Sequence, residues 1–439
     1  MNKRTFLSLV LILVFLLSAC KQASLTPPIP EKFVFSTWGD ATLYSDCFQR
    51  MQKVYPAYAN VKFENVQADS DTTLYQRLIT DFTAKSWDTI PDMVEMTASR
   101  IPELADAGVL VDISDSMKPY QDKIGKGVLE GVSRNGKVYA VPWMANSAMV
   151  WYRDDVFKEA GIAPNKIETW DDFMAAGKTI AGFNFADGKK HYLLSQTSSG
   201  IDTMRLQLML NELDTGLFDP QTGETTIDKD PKFRQAAEML VKMATEGVSL
   251  EISEWEAPWF AALGDGTIAS YVSANWMGQI IQGGDLGDNQ QGKWRAMALP
   301  AFDKGGLRAA LEGNSANVVI MNKQGGQKDL AWLMAKTCFL DDNITADLMT
   351  AHNLGTAYLP ALQDKRFTDP VEFFGGQAVG VLDRQVQEQA TRFYYTAGYF
   401  QAMDLISEQL GMVIKEGKDL DQAIKDAADN IRTKVGNSK

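Results

Sequence analysis

A regular alternation of strand-like and helix-like stretches constrains the fold of this chain more than any other feature. Three short apolar runs that are typical of buried strands cover residues 33–38, 61–66 and 91–96. Stretches with helical spacing lie between them, at residues 43–55 and 71–85. The order strand, helix, strand, helix, strand predicts an α/β domain with a largely parallel sheet.

The rest of the chain extends this pattern. Helix-like segments resume after residue 153, and the C-terminal third is mainly helical. Asn135-Gly136 lies between two short extended pieces, which predicts a tight turn. A length of 439 residues with 45% hydrophobic side chains is enough for two or more domains, each with its own core.

The first twenty residues predict export. Lys3 and Arg4 precede an apolar run over residues 5–17, which is too short for a comfortable membrane span, and small residues follow it. This order is typical of a secretory signal peptide. Leu17-Ser18-Ala19-Cys20 resembles the lipobox of bacterial lipoproteins, in which the cysteine is acylated and becomes the first mature residue.

We therefore predict a signal peptide at residues 1–19 and a lipidated Cys20 at the start of a Pro-rich linker, residues 20–32. The alternative is an anchor helix with an incidental cysteine. No later stretch has the roughly 20 apolar residues that a membrane span needs, so the lipid on Cys20 would be the attachment to the membrane. The localisation predicted is extracytoplasmic, at the bacterial cell membrane.

The charge of the chain excludes one class of partner. The formal net charge is −13, and removal of Lys3 and Arg4 with the signal peptide takes away two positive charges and makes it −15. Nucleic-acid binding needs a basic face, so we expect no nucleic-acid partner. The same balance disfavours an anionic substrate, although one local basic pocket could override it.

Cys47 and Cys338 are the cysteines left after lipidation of Cys20. A disulfide between them is compatible with an oxidising compartment, but sequence alone cannot place them within bonding distance. Our expectation is two buried free thiols.

Motifs for metal or nucleophilic chemistry are missing from the sequence. The two histidines, His191 and His352, are not spaced as a metal site, and no HExxH, CxxC or GxSxG motif occurs. Residues 131–138 approach a phosphate-binding loop but lack its final Ser or Thr, and a hairpin explains them better. We expect no cofactor and no metal. A glycosidase with a carboxylate pair stays open as an alternative, because acidic residues are plentiful.

Aromatic and amide side chains are found at the presumed ends of strands. Trp38-Gly39-Asp40 follows the first strand, Asn146 lies where the chain changes domain, and Asn275-Trp276 follows an apolar run. Open α/β sheets bind ligands at the carboxyl ends of their strands. An indole can cover the C–H face of a sugar ring, while carboxylates and amides bind its hydroxyls. These residues therefore predict a site for a neutral polyol.

A set of short motifs occurs in a constant order along the chain. They are Trp38-Gly39-Asp40, Pro91-Asp92-Met93-Val94, Gly108-Val109-Leu110-Val111-Asp112, Gly136-Lys137-Val138-Tyr139-Ala140-Val141-Pro142, Val150-Trp151-Tyr152-Arg153-Asp154-Asp155-Val156-Phe157-Lys158-Glu159-Ala160-Gly161, Thr169-Trp170-Asp171-Asp172-Phe173, Gly264-Asp265-Gly266, Asn275-Trp276 and Glu312-Gly313-Asn314. Together they resemble the carbohydrate-binding solute-binding proteins of bacterial ABC importers, the maltose-binding-like cluster.

This resemblance implies a two-lobed α/β periplasmic-binding-protein fold, with central sheets, a multi-strand hinge and the ligand in the cleft. Lobe 1 would comprise residues 33–145 and 303–357, and lobe 2 would comprise residues 146–302 and 358–439. Crossings between the lobes would lie near residues 143–147, 302–306 and 355–360.

The resemblance also implies a set of ligand contacts by position. They are Trp38, Asp40, Met96, Arg100, Asn146, Trp276, Asn314, Tyr395 and Tyr399. Some relatives have an aromatic residue and an Asp where this chain has Met96 and Ser99, so the identity of the sugar does not follow from the resemblance.

The function implied is capture of a sugar, most simply an oligosaccharide, by a monomeric lipid-anchored protein that delivers it to the permease subunits of an ABC importer. No catalytic activity is expected. The alternatives are the same fold binding a glycerophosphodiester, a polyamine or a metal chelate, and a secreted glycosidase.

Overall fold

The structure is a computed structural model, and it describes residues 29–197, 201–312, 315–391, 395–396 and 398–437. The predicted signal peptide, Cys20 and most of the linker lie outside the described residues.

Twelve strands are found within this part of the chain. They are β1 Lys32–Thr37, β2 Lys62–Gln67, β3 Met93–Thr97, β4 Ser133–Arg134, β5 Lys137–Val138, β6 Ala140–Met144, β7 Ala148–Arg153, β8 Leu194–Gln196, β9 Ser249–Glu251, β10 Ser270–Ala274, β11 Trp294–Met297 and β12 Ala316–Ile320.

The α-helices alternate with these strands and dominate the C-terminal region. They are α1 Ala41–Val54, α2 Asp71–Thr83, α3 Ile101–Asp106, α4 Ser114–Met117, α5 Lys126–Gly131, α6 Asp154–Glu159, α7 Trp170–Gly182, α8 Thr203–Glu212, α9 Pro231–Thr245, α10 Ala257–Asp265, α11 Met277–Gly283, α12 Lys328–Phe339, α13 Asp342–Ala351, α14 Lys365–Thr368, α15 Val379–Gln389, α16 Tyr399–Glu416 and α17 Leu420–Lys434. Among the helices described, none combines the length and the apolar character that crossing a membrane requires.

The larger sheet has five strands in the order β2-β1-β3-β12-β6. β1 pairs in parallel with β2 and β3, as the alternating pattern predicted. β12 comes from much later in the chain and lies antiparallel between β3 and β6. The sheet is therefore mixed, because a strand from the second half of the chain completes it.

The smaller sheet has three strands in the order β10-β7-β11, and β7 pairs antiparallel with both neighbours. All six side chains of β7 are buried, as expected for a central strand covered on both faces. The strand that leaves the first sheet, β6, is separated from β7 by three residues, 145–147.

Buried side chains form separate cores around the two sheets. The first core collects side chains from the five-stranded sheet and the helices that cover it, and two further cores surround the three-stranded sheet. Ala310 packs in the second core and Leu311 in the first, so the chain changes core there. Tyr358 and Phe367 still belong to the first core, so this core extends beyond residue 357, where the predicted lobe 1 ends.

Local signals account for several element boundaries. The side chain of Asp40 accepts a hydrogen bond from the backbone N–H of Thr42 and caps α1. Thr169 and Asp172 form a reciprocal capping box at the start of α7. Asn135 and Gly136 join β4 to β5 with φ values of 52° and 75°, which confirms the predicted tight turn.

The expectation of two free thiols is wrong. Cys47 on α1 and Cys338 on α12 form a disulfide with their Cα atoms 5.6 Å apart. The two helices pack against each other although 291 residues separate the cysteines. Local sequence carries no information about this helix pairing, which is why the bond could not be predicted.

Candidate ligand-binding site

A cavity of about 740 Å³ opens where the strands of the two sheets end. Its wall includes residues in or directly after β1, β3, β6 and β10, residues at the start of β12, and side chains from neighbouring helices. Because β12 runs antiparallel to β3 and β6, its amino end meets their carboxyl ends at one edge of the sheet. The residues that line the cavity include Trp38, Asp40, Asp71, Glu95, Thr97, Arg100, Asn146, Trp276, Glu312, Phe400 and Asp404.

Trp38 and Asp40 reach the cavity because β1 ends at Thr37. Trp38 is partly buried and packs against the first core. Asp40 Oδ2 lies 3.3 Å from Nδ1 of His352. Burial alone would raise the pKa of Asp40, but hydrogen bonds from Thr42 and His352 outweigh burial and hold the pKa below its usual value. This carboxylate is therefore a charged acceptor at the cavity wall.

Arg100 follows β3 and is held on several sides. Its Nε forms an ion pair with Oδ2 of Asp71 at 3.1 Å. The guanidinium carbon lies 4.5 Å from the ring centre of Tyr75 and 4.4 Å from that of Phe400. Phe400 lies on α16, which packs with the second core, so this stacking joins residues associated with different sheets.

Trp276 is held by a buried carboxylate, Glu312. Trp276 Nε1 donates to Oε2 of Glu312 at 2.5 Å, and Ser273 Oγ donates to Oε1 at 3.0 Å. Asn146 Nδ2 donates to the same Oε2 at 3.5 Å. Glu312 thus connects a residue after β10 with a residue between β6 and β7, and it orients the indole at the cavity wall.

Burial raises the pKa of Glu312 to about 7, although the hydrogen bonds from Trp276 and Ser273 oppose the shift. Glu95 on β3 behaves in the same way: burial raises its pKa to about 7 against a hydrogen bond from Thr37. Near neutral pH both carboxyl groups are therefore only partly ionised.

Asn146 has a left-handed backbone with φ of 52°, a conformation in which Asn is enriched. Its carbonyl oxygen accepts a hydrogen bond from the backbone N–H of Glu312 at 2.9 Å. This turn positions the amide in the wall of the cavity, between the two sheets.

The structure brings five of the predicted ligand residues to the cavity, namely Trp38, Asp40, Arg100, Asn146 and Trp276. Whether they contact a ligand stays a prediction. Asn314 lies outside the described residues.

Met96, Tyr395 and Tyr399 are not placed in the cavity wall, and all three are buried. Successive side chains of a strand point to opposite faces, so Glu95 and Thr97 line the cavity while Met96 faces the core. Tyr395 packs in the second core, where its hydroxyl oxygen accepts a hydrogen bond from Gln207 Nε2 at 2.6 Å. On α16, Phe400 and Asp404 reach the cavity, whereas Tyr399 does not line it.

Glu95 and Glu312 are among the site residues that sequence reasoning missed, together with Asp71, Thr97 and Asp404. Glu312 is the first residue of the motif Glu312-Gly313-Asn314. The signal in the sequence that could have identified Glu312 as a site residue was an acidic side chain directly after a hydrophobic segment. Glu95 sits inside an apolar strand, Met93–Thr97, where a carboxylate needs a partner or a function.

The wall as a whole offers flat aromatic surfaces next to hydrogen-bonding groups. Indoles can cover the apolar face of a ring, and the carboxylates, the amide and the guanidinium can bind hydroxyl groups at its edge. Within the described ranges, no group of three or more His, Cys, Asp or Glu side chains is arranged to hold a metal ion.

The model of the bacterial extracellular solute-binding protein family matches residues 49–375. The chain therefore belongs to the family of bacterial extracellular solute-binding proteins. Membership confirms the predicted family, whose proteins bind solutes outside the cytoplasm.

Two curated relatives are arabinooligosaccharide-binding proteins. That of Halalkalibacterium halodurans is 26% identical over 235 residues, which cover 52% of this chain and 50% of the relative. That of Bacillus subtilis is 26% identical over 248 residues, covering 55% and 54%. The chain thus matches about half the length of these relatives. The lactose-binding protein of Rhizobium radiobacter is 22% identical over 311 residues, covering 69% and 70%.

Solved structures of similar proteins confirm the two-lobed α/β fold. An ABC-transporter-associated binding protein of B. animalis subsp. lactis Bl-04, solved with β-1,6-galactobiose, superposes with a TM-score of 0.72 at 20% identity and covers 92% of this chain and 98% of the neighbour. The galacto-N-biose/lacto-N-biose I-binding protein of Bifidobacterium longum has a TM-score of 0.68 at 18% identity, with coverage of 92% and 96%.

Proposed function

We propose that this protein captures an oligosaccharide in the cavity between its two sheets and delivers it to the permease of an ABC importer. It acts as a monomer that binds its ligand without turning it over. Trp38, Asp40, Arg100, Asn146 and Trp276 form the ligand contacts.

The observation that carries this proposal is the chemistry of the cavity wall. Trp38 and Trp276 present indole surfaces in a cavity of about 740 Å³, a volume within the range of small-molecule sites. Asp40, Asn146 and Arg100 supply acceptors and donors around them. The curated relatives that bind arabino-oligosaccharides and lactose support the same ligand class.

Thermal unfolding in the presence of a sugar panel tests the proposal. The panel contains arabino-, galacto- and malto-oligosaccharides, lactose and the matching monosaccharides, with spermidine and glycerophosphocholine as non-sugar solutes. A ligand at 100 times its dissociation constant adds about 2.7 kcal/mol to the free energy of unfolding and raises the melting temperature. Stabilisation by a sugar with recovery of the unchanged sugar supports binding. Stabilisation by none of the sugars refutes the sugar proposal, and hydrolysis products would indicate a glycosidase.

The acidic lining of the cavity makes a polyamine the second candidate. Asp40, Asp71 and Asp404 lie in the wall together with the two buried glutamates, against a single arginine among the lining residues that the structure describes. Most of this charge is already engaged: Asp71 pairs with Arg100, and the raised pKa values leave Glu95 and Glu312 partly neutral at pH 7. A neutral polyol therefore fits the cavity better than a polyamine does. Thermal unfolding with spermidine, which is part of the panel, distinguishes the two ligand classes.

We further propose that Cys20 carries the lipid that holds the protein at the membrane. The support is the sequence Leu17-Ser18-Ala19-Cys20 after an apolar run. Replacing Cys20 with Ala should release the protein into the soluble extracytoplasmic fraction, as judged by membrane fractionation and immunoblotting. Retention of Cys20→Ala at the wild-type level in the membrane fraction would refute lipid anchoring.

A further inference from the structure

Trp255 stands out because it is a large aromatic side chain that is 46% exposed and yet packed against other rings. It lies in the loop between β9 and α10. Its ring centre is 5.0 Å from that of Trp259 and 5.6 Å from that of Trp276. Phe260 and Tyr271 lie at 6.2 and 6.4 Å. The indole is therefore fixed in position while much of its surface faces solvent.

The backbone of Trp255 is also strained. Its φ of 68° lies in the left-handed region, which bulky residues rarely adopt and where Gly or Asn is favoured. Such strain persists when the surroundings hold the residue in place, and it is concentrated at functional sites. Next to it, Glu254 accepts hydrogen bonds from Ser195 at 2.6 Å and from Tyr271 at 3.2 Å, which anchors the loop.

Trp255 lies next to the proposed sugar site. Trp276 lines the cavity, and Trp255 lies directly beside it but outside the wall. The two rings are tilted by 36° with their centres 5.6 Å apart, so an indole that is 46% exposed lies in contact with an indole of the cavity wall.

We propose that Trp255 is an outer stacking platform for an oligosaccharide that is longer than the segment held inside the cavity. The ligand class would then be oligosaccharides whose distal residue leaves the cavity and lies on the exposed indole. This inference rests on the proposed sugar-binding function, and it adds a residue that selects ligands by chain length.

Isothermal titration calorimetry with a chain-length series tests the proposal. The probes are arabino-, galacto- and malto-oligosaccharides of two to six residues, titrated into the mature chain. For wild type, affinity should increase in a step of about tenfold at one chain length, when a residue first reaches Trp255. In Trp255→Asn, whose side chain suits the left-handed backbone, the step should disappear while affinity for the disaccharide changes less than twofold.

Two controls separate a platform from a structural role. Phe183→Ala removes another exposed aromatic that does not line the cavity, and it should leave the whole series unchanged. The melting temperature of ligand-free Trp255→Asn should stay within about 2 °C of wild type or rise, because the left-handed backbone is relieved. A large fall would instead show that Trp255 mainly stabilises the aromatic cluster.

The outcomes distinguish the two proposals. Loss of affinity by the same factor at every chain length, or an intact step in Trp255→Asn, overturns the outer platform and leaves the sugar-binding function standing. Absence of binding for all three series refutes the sugar-binding function and the platform with it.

Discussion

At the scale of single residues, the cavity wall depends on buried carboxyl groups that orient neighbouring side chains. Glu312 accepts hydrogen bonds from Trp276, Ser273 and Asn146, so one buried side chain orients an aromatic and an amide together. The cost is a desolvated carboxyl group whose pKa is raised to about 7. Positioning groups of this kind are not distinguishable by residue type from the many acids on the surface.

Trp276→Ala should weaken binding of the stabilising sugar about ten- to a hundredfold, because loss of a stacking surface costs on the order of 1–3 kcal/mol. Trp276→Phe keeps a flat ring but cannot donate to Glu312, so it should lose less affinity. Calorimetry of the two variants measures the difference. A large fall in the melting temperature of the ligand-free Ala variant with unaltered affinity would assign Trp276 to packing alone.

The buried carboxyl groups predict how stability depends on pH. The pKa values of Glu95 and Glu312 are raised to about 7 and that of Glu212 to about 8, in each case by burial. The folded protein then binds more protons than the unfolded chain, so stability falls as pH rises from about 5 to 8. We expect Glu312→Gln to reduce this dependence, by up to about 3 kcal/mol if the whole shift is removed.

Melting temperatures of wild type and Glu312→Gln between pH 5 and 8 measure the effect. Glu64→Gln is the matched control, because Glu64 is exposed and pairs with Lys32 on the surface. Equal pH dependence in wild type and Glu312→Gln would contradict the assignment of the raised pKa to Glu312.

At the scale of elements, the first lobe is assembled from distant parts of the chain. β12 inserts antiparallel between β3 and β6, and α12 packs on α1. The Cys47–Cys338 disulfide joins these two helices in the buried core. It links the early α/β segment with the returning segment, which no local pattern could reveal.

Replacing both cysteines with Ala should lower the free energy of unfolding by about 2–5 kcal/mol, because the disulfide closes a long loop of the unfolded chain. Sugar affinity should change little, since neither cysteine lines the cavity. Denaturant unfolding of wild type with and without reductant, beside the double variant, provides the measurement. Equal stability of all three samples would show that the bond does not form in solution.

At the scale of the whole molecule, the cavity is lined by residues that follow strands of both sheets. Trp38 follows β1 of the larger sheet and packs with the first core, while Trp276 follows β10 of the smaller sheet and packs against both the first and the third core. We propose that the chain crosses between the lobes at residues 145–147, close to residues 310–311 and after residue 367. Several adjacent crossings allow bending but restrict free rotation.

Ligand binding should close the two lobes, because a sugar that touches both Trp38 and Trp276 interacts fully only when the cleft is shut. Small-angle scattering should show a smaller radius of gyration with the stabilising sugar than without it. Trp276→Ala at the same subsaturating sugar concentration should show a smaller decrease. An unchanged radius for wild type at saturation would contradict closure.

The sequence by itself determined the α/β class, the turn at Asn135-Gly136, the family and five of the residues that line the cavity. These are local properties: periodicity, turn chemistry and motifs at strand ends follow from neighbouring residues. Tertiary structure alone decided the insertion of β12, the disulfide, and which side of β3 faces the cavity. It buried Met96 and brought Glu95 to the wall, because a strand alternates its faces and only the packing of the whole sheet selects which face meets the cleft.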